Sequence, residues 1–231
     1  MTFWILFIGT MALSGLAAMA VRSRYAKWSQ VGARSGITGA QAAQRILTAA
    51  GISDVDVVPQ RGKLTDHYDP LKRRLVLSEA NYHGSSVAAL GIAAHEAGHA
   101  IQHKVNYWPL NARMAAVGVT TFASTLTMIL PFVLVLGYGF LGPQIGFAGF
   151  MVFVAALAVC MLFNLITLPV EFDATRRAKL ILTKTGMIST AEEERGMHQM
   201  LDSAAWTYVA AFVTSLAYLL YYLLPLLGGR E

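Results

Sequence analysis

The chain of 231 residues is 55% hydrophobic and only 13% charged, whereas ordinary soluble domains carry roughly 25% charged residues. This composition excludes an ordinary soluble globular protein, and the net charge of +5 comes without the interleaved basic and aromatic residues of a nucleic-acid-binding surface. A membrane-spanning helix needs about 20 apolar residues, so the sequence predicts a mainly α-helical, polytopic membrane protein with about four transmembrane helices. They are predicted in residues 1–20 for the first, 114–168 for the second and third, and 204–231 for the fourth with a C-terminal tail.

The basic residues predict how the chain is oriented in the membrane. All but one of the 18 Lys and Arg residues lie in residues 21–113 and 169–203, and cytoplasmic segments close to membrane spans are enriched in these residues. Both segments are therefore predicted to face the cytoplasm, with both chain termini outside. Because positive charge follows the first apolar run instead of preceding it, this run is predicted to be an uncleaved anchor.

Residues 21–113 are long enough to form a small cytoplasmic α+β domain. Thr38 can cap a helix over residues 39–50. Short strands are predicted over residues 55–58 and 72–77, in a sheet of two or three strands. The second strand leads towards the next helix, and an exposed edge on it would hold an extended peptide by main-chain hydrogen bonds.

The two strands are joined through Leu64-Thr65-Asp66-His67-Tyr68-Asp69-Pro70. From this segment His67 could supply a metal ligand or a substrate contact. Because its Asp and Pro residues are ordinary turn formers, we expect a turn instead.

The segment His95-Glu96-Ala97-Gly98-His99 carries the strongest chemical signal in the sequence. It falls in a helix predicted over residues 86–103, and side chains four apart on a helix lie on the same face. His95 and His99 can therefore present two imidazole nitrogens to one metal ion. Glu96 lies one step around the helix, where its carboxylate would act as a general base on water at the metal. The pattern predicts both a zinc ion and a proton acceptor.

The predicted helix also contains Gly98 and His103. Gly98 lowers helix propensity by about 1 kcal/mol relative to Ala, which the close approach of a substrate or a neighbouring helix would explain. His103 lies one further turn along, too far from His95 to bind the same ion, and a structural role at the helix C-terminus is expected for it.

A zinc hydrolase with two helical histidines needs a third protein ligand, and topology requires this ligand on the cytoplasmic side. Glu171 meets the requirement, at the start of a helix predicted over residues 171–182 after Pro169 ends the third span. An acid that only interacts favourably with the positive end of the helix dipole is the alternative.

The last part of the cytoplasmic sequence predicts one more helix. Thr190 and Glu193 form a capping-box pattern for a helix over residues 191–203 that leads into the fourth span. Its three consecutive glutamates, residues 192–194, are expected to be a solvated first turn.

Three segments together, residues 64–70, 95–99 and 168–177, resemble the YugP-like zinc-dependent membrane metallopeptidases of bacteria. The last segment is also similar to the Glu-(Phe/Tyr)-x-Ala-Asp motif of the wider HtpX and CAAX-prenyl-protease group, whose glutamate is the third zinc ligand. By that match Glu171 carries the ligand role. Thr175 stands where the wider group has Asp, so that carboxylate is missing here, and Asp173 is a candidate to replace it from another face.

The resemblance implies a Zn²⁺-dependent endopeptidase of the bacterial inner membrane, with peptide or protein substrates and a zincin-like fold for residues 21–113. His95, His99 and Glu171 would hold zinc, and Glu96 would be the catalytic base. Candidates to assist the ligands or the developing oxyanion are Asp173, Arg176, His198, Tyr82 and His67. A catalytically silent zinc-binding membrane scaffold or sensor is the main alternative, and a membrane assembly protein with merely packed histidines is the other.

Overall fold

The structure is a computed structural model that describes residues 1–63, 65–137, 140 and 142–228. In chain order its helices and strands are α1 Thr2–Trp28, α2 Gly39–Ala49, β1 Asp56–Gln60, β2 His67–Asp69, β3 Arg74–Ser78, α3 Glu79–His83, α4 Val87–Lys104, α5 Trp108–Leu136, α6 Gly142–Lys184 and α7 Ala191–Gly228. Leu64, in the predicted turn, and residues 229–231, in the predicted tail, lie outside the described residues.

The chain divides into two compact units. The apolar unit consists of Met1–Ser14, Ala112–Leu168 and Tyr208–Glu231. The mixed unit consists of Gly15–Asn111 and Pro169–Thr207, and contains the sheet and the motif helix α4.

Of the helices in the described residues, four are long and apolar enough to cross a membrane, as the composition predicts. They are α1, α5, α6 and α7. The shortest, α1, has 27 residues and is therefore about 40 Å long, which exceeds the roughly 30 Å hydrocarbon core of a bilayer.

Within the apolar unit, α6 and α7 are joined by ring contacts and by a polar contact. The rings of Phe153 and Tyr222 meet edge to face with centroids 5.1 Å apart, and Asn164 Nδ2 donates to Ser215 Oγ at 3.1 Å. Hydrogen bonds of this kind stabilise helix pairs in membranes, where a polar side chain otherwise lacks a partner.

Pro169, predicted to end the third span, does not interrupt the helix, because α6 continues through it from Gly142 to Lys184. A proline inside a helix removes one N–H from the helix ladder and crowds the carbonyl of the preceding turn, and here tertiary packing of the residues that follow offsets this cost. Val170, Ala174 and Ala178, on the face that begins directly after the proline, are fully buried. The predicted separate helix over residues 171–182 is therefore the last part of α6.

The sheet of the mixed unit has the order β1-β3-β2, with β1 parallel and β2 antiparallel to β3. Two predictions fail here. The strand expected to offer a free edge, β3, is central and paired on both sides. The segment expected to be only a turn contains the strand β2, and the turn follows it, where Asp69 Oδ1 accepts from the N–H groups of Leu71 and Lys72 at 3.0 Å each.

The carboxylate of Asp66 holds the start of β2 in place. Its Oδ1 accepts from the main-chain N–H of Ser78 at 2.7 Å and from Asn81 Nδ2 at 3.1 Å. These donors lie twelve and fifteen residues further along the chain, so the strand depends on contacts that a local turn pattern does not contain.

Helix α2 packs against α4 and closes the core behind the motif. Thr38 caps α2 as predicted, and its buried residues are Gly39, Ala42, Ala43, Ile46 and Leu47. Six of the buried residues of α4 are alanines, whose small side chains allow close packing of the helices.

Candidate metal centre

The helix α4 presents the two motif histidines on one face. Ser86 caps the helix with its Oγ, which accepts from the N–H of Ala89 at 3.1 Å. The helix then continues to Lys104, so the whole motif lies in regular α-helix. The imidazole rings of His95 and His99 have centroids 4.9 Å apart and are nearly perpendicular, at 85°.

Gly98 allows α6 to approach this face of α4. A Cβ atom at residue 98 would lie 3.0 Å from the carbonyl oxygen of Ala174 and 3.2 Å from its Cα. The close approach expected at Gly98 therefore comes from a neighbouring helix, which carries Glu171 one turn before Ala174.

Glu171 faces both imidazoles. Its Oε2 lies 3.3 Å from His95 Nε2 and 3.7 Å from His99 Nε2, and one ligand atom from each of the three residues lies within 4.8 Å of the others. Two atoms that each bind tetrahedral zinc at about 2.0–2.1 Å lie roughly 3.4 Å apart. The spacing and the nitrogen and oxygen donors therefore fit a zinc ion.

The cluster is largely buried and electrostatically matched to a cation. Glu171 is 1% exposed, and burial acts to raise the pKa of its carboxyl, but the hydrogen bonds and charges of His95 and His99 hold that pKa well below its usual range. Burial lowers the pKa of His99, yet Glu171 and the nearby charge of Glu96 outweigh it and raise the pKa. Negative charge is therefore concentrated where the imidazole nitrogens converge.

The Nδ1 atom of each imidazole, which faces away from Glu171, has a polar partner, and of the two partners only Thr175 was named from the sequence. His99 Nδ1 lies 2.9 Å from Gln102 Oε1, and His95 Nδ1 lies 3.4 Å from Thr175 Oγ1. The helical spacing held a signal for both residues, because Gln102 is three positions after His99 and Thr175 is four positions after Glu171.

Asp173 reaches the centre through Gln102 rather than directly. Its Oδ2 accepts from Gln102 Nε2 at 3.0 Å and from Arg177 Nε at 2.5 Å, and its Oδ1 accepts from Arg176. Burial acts to raise the pKa of Asp173, and these hydrogen bonds lower it below its usual range. Asp173, the candidate to replace the carboxylate missing at residue 175, is therefore connected to His99 through Gln102.

The remaining candidate helpers divide into two groups. Arg176 and His198 line a groove of about 880 Å³ that also reaches Asp173 and Thr175. The ring of Tyr82 instead contacts His83, with centroids 4.9 Å apart. His67 is exposed on β2, where its Nδ1 lies 2.8 Å from the carbonyl oxygen of Thr65.

His103 has a structural contact, as expected. Its Nδ1 lies 2.9 Å from the hydroxyl of Tyr68, which ties the end of α4 to β2. Burial and the charge of Arg73 lower the pKa of His103, which favours the neutral ring.

Comparison with known proteins connects this geometry to a family. The chain matches a family model described as "putative neutral zinc metallopeptidase" over residues 3–226. It is 44% identical over 231 residues to the "putative membrane protease YugP" of Bacillus subtilis (strain 168), covering 100% of this chain and 99% of that protein. No solved structure matches it. The family's zinc agrees with the donor set of His95, His99 and Glu171, and the chain belongs to this zinc metallopeptidase family.

Proposed function

We propose that this protein is an integral membrane zinc-dependent endopeptidase that hydrolyses peptide bonds in peptide or protein substrates. The observation that carries the proposal is the convergence of His95, His99 and Glu171, with Glu96 next to His95 on α4. A purely structural zinc site would more often have a fourth protein ligand and would need no adjacent base. The four long apolar helices and the membrane protease relative support action at a membrane.

In the proposed mechanism His95, His99 and Glu171 hold the zinc ion. When bound, zinc supplies Lewis acidity, which lowers the pKa of water towards about 7 and polarises a peptide carbonyl. Glu96 accepts the proton of the attacking water and then donates it to the leaving amine. Because Glu96 is only 9% exposed, few solvent molecules compete for its carboxylate.

Arg176 and His198 are the preferred candidates to stabilise the developing oxyanion. Both line the groove that reaches Thr175, the partner of His95, and both carry N–H donors. Asp173 acts on the ligands through Gln102. Tyr82 and His67 are less suited, because their described contacts are with His83 and Thr65.

We infer that the protein lies in the inner membrane of a bacterium, with its site on the cytoplasmic side and both termini outside. The concentration of Lys and Arg in residues 21–113 and 169–203 supports this orientation. The proposed ligands come from the same two segments, and they all belong to the mixed unit.

The decisive experiment replaces Glu96 by Gln in the full-length protein. E96Q should retain one zinc ion per chain, measured by metal analysis, and should lose cleavage of an unstructured peptide. Glu79→Gln, at a surface residue of α3 whose side chain is 59% exposed, is the matched control and should keep both properties. Full cleavage by E96Q would exclude the proposed base, and zinc binding without cleavage by the wild type would favour the scaffold or sensor.

A further inference from the structure

Gln102 is completely buried, and all of its polar groups have partners. Its Nε2 donates to the carbonyl oxygen of Val170 at 2.8 Å and to Asp173 Oδ2 at 3.0 Å, while its Oε1 lies 2.9 Å from His99 Nδ1. A carbonyl oxygen and a carboxylate both accept hydrogen bonds and cannot donate them. The amide therefore has one allowed orientation, with its NH₂ group towards α6 and its oxygen towards His99.

This orientation determines where the proton of His99 lies. An amide oxygen can only accept, so His99 Nδ1 must carry a hydrogen and donate it to Gln102. In the neutral imidazole the lone pair then remains on Nε2, the nitrogen that faces Glu171. In this tautomer Nε2 is the nitrogen available to a metal ion.

We propose that Gln102 is a positioning residue that fixes His99 in its metal-binding tautomer and transmits the negative charge of Asp173 to the imidazole. The proposal rests on the proposed zinc centre and extends it to two residues beyond the ligands. A donated hydrogen bond at the outer nitrogen makes an imidazole a stronger ligand, and a charged acceptor behind the amide strengthens that bond.

The two proposed histidine ligands differ in the hydrogen-bond partner of Nδ1. Among the described residues, the partner of His95 Nδ1 is the neutral hydroxyl of Thr175, at 3.4 Å. At His99, by contrast, two hydrogen bonds connect Nδ1 to an acid. The first joins His99 Nδ1 to Gln102, and the second joins Gln102 to the carboxylate of Asp173. Arg176 and Arg177 each donate to one oxygen of its buried carboxylate.

The test uses Gln102→Met, which keeps a similar side-chain length and removes every hydrogen bond of the amide. The matched control is Asn81→Leu, because Asn81 is also a buried amide that joins an acid, Asp66, to a second side chain, Tyr25. Zinc affinity is measured on the folded, detergent-solubilised protein by competition with a chromophoric chelator. Q102M should bind zinc about 10–100-fold more weakly than the wild type, and N81L should remain within about twofold of it.

A second measurement separates positioning from simple loss of structure. With ¹⁵N-labelled histidine and zinc removed by chelation, NMR should show His99 protonated at Nδ1 in the wild type and N81L, and a mixture of tautomers in Q102M. Asp173→Asn, which keeps an acceptor but removes the charge, should retain the tautomer and weaken zinc binding severalfold.

An unchanged tautomer and unchanged zinc affinity in Q102M would overturn the proposal. If the wild type binds no zinc, the proposed function fails instead, while the tautomer measurement on the metal-free protein still decides the role of Gln102.

Discussion

Two glutamates of the mixed unit are buried to a similar degree and face different kinds of partner. Glu171 is 1% exposed and Glu193 is 4% exposed, and although burial acts to raise both pKa values, both are lowered. The carboxylate of Glu193 accepts from the main-chain N–H groups of Arg34, Ser189 and Thr190. It thereby joins the chain at Arg34 to the start of α7.

The partners of Glu171 are different, because His95 and His99 face it with nitrogens that can carry a lone pair. A main-chain N–H only donates, so the cluster at Glu193 is already satisfied and has no place for a cation. Burial and a lowered pKa are common to both glutamates and therefore do not identify a metal centre. The type of partner atom does.

The strongest test of this distinction removes each carboxylate in turn. Glu171→Ala should weaken zinc binding by more than about 100-fold. Losing only a residue that hydrogen-bonds to a metal ligand already costs about 10–100-fold, and losing a ligand itself costs more. Asp173→Ala should weaken it less. Glu193→Ala should leave the zinc affinity of the folded protein unchanged. Chelator competition measures all three variants, and a larger loss in Asp173→Ala than in Glu171→Ala would move the ligand to Asp173.

The pH dependence of the free energy of unfolding should show that the carboxylate of Glu193 stabilises the fold. Glu193→Ala should lower the free energy of unfolding by about 2–4 kcal/mol near neutral pH, since it leaves buried N–H donors without a charged acceptor. The folded pKa of Glu193 lies below its unfolded value of 4.5, so its contribution is present above pH 4.5 and is lost as pH falls through the folded pKa.

Unfolding of wild type and Glu193→Ala is therefore compared between pH 7 and pH 3, and the difference should shrink towards acid. A difference that is constant over this range would show that the charge of Glu193 does not stabilise the fold. Glu192→Gln, at an exposed neighbour in the same turn, is the control and should have little effect at any pH.

The sequence predicts those features that depend on local spacing. Runs of apolar residues predict the four long helices, and the four-residue spacing of His95 and His99 predicts their shared face. The capping box of Thr190 and Glu193 is also correct, with hydrogen bonds in both directions. Glu171 was predicted as the third ligand because topology restricted the search to residues 21–113 and 169–203.

The features that the sequence does not predict depend on contacts between distant segments. Glu193 was expected in a solvated turn, but Arg34, 159 residues away, donates to it and the turn is buried there. Pro169 was expected to end a helix, but packing of the following turn maintains it. Gln102 was overlooked because its partner Asp173 lies 71 residues later in the chain.

Gly98 lies in the packing near Glu171, and Gly196 lies in the packing near Glu193. In Gly98→Ala the new Cβ would meet the backbone of Ala174 at 3.0 Å, so α4 and α6 must separate near the metal centre. In Gly196→Ala it would meet the ring of Trp28 at 2.4 Å, close in sequence to Glu193. Each substitution should destabilise the fold by about 1–3 kcal/mol.

The zinc affinity of the folded protein should distinguish these two variants. Gly98→Ala should lower it, because the ligands on α4 and α6 move apart, and Gly196→Ala should not. Equal zinc affinities for both variants would mean that the approach of the helices at Gly98 does not determine the geometry of the three ligands.

Two threonines provide the smallest and most specific contrast, because each assists one of the two glutamate clusters. Thr175 Oγ1 contacts His95 Nδ1 at 3.4 Å, whereas Thr190 Oγ1 accepts from the N–H of Glu193 at 3.2 Å. Thr175→Val should weaken zinc binding by about two- to fivefold, as expected for a neutral hydrogen bond worth roughly 0.5–1 kcal/mol, with little change in stability. Thr190→Val should do the reverse, costing about 1 kcal/mol of stability as a lost helix cap while zinc affinity is retained. If Thr175→Val lowered only stability, the hydroxyl would support α6 rather than the imidazole, and the outer contact of His95 would have no part in holding the metal.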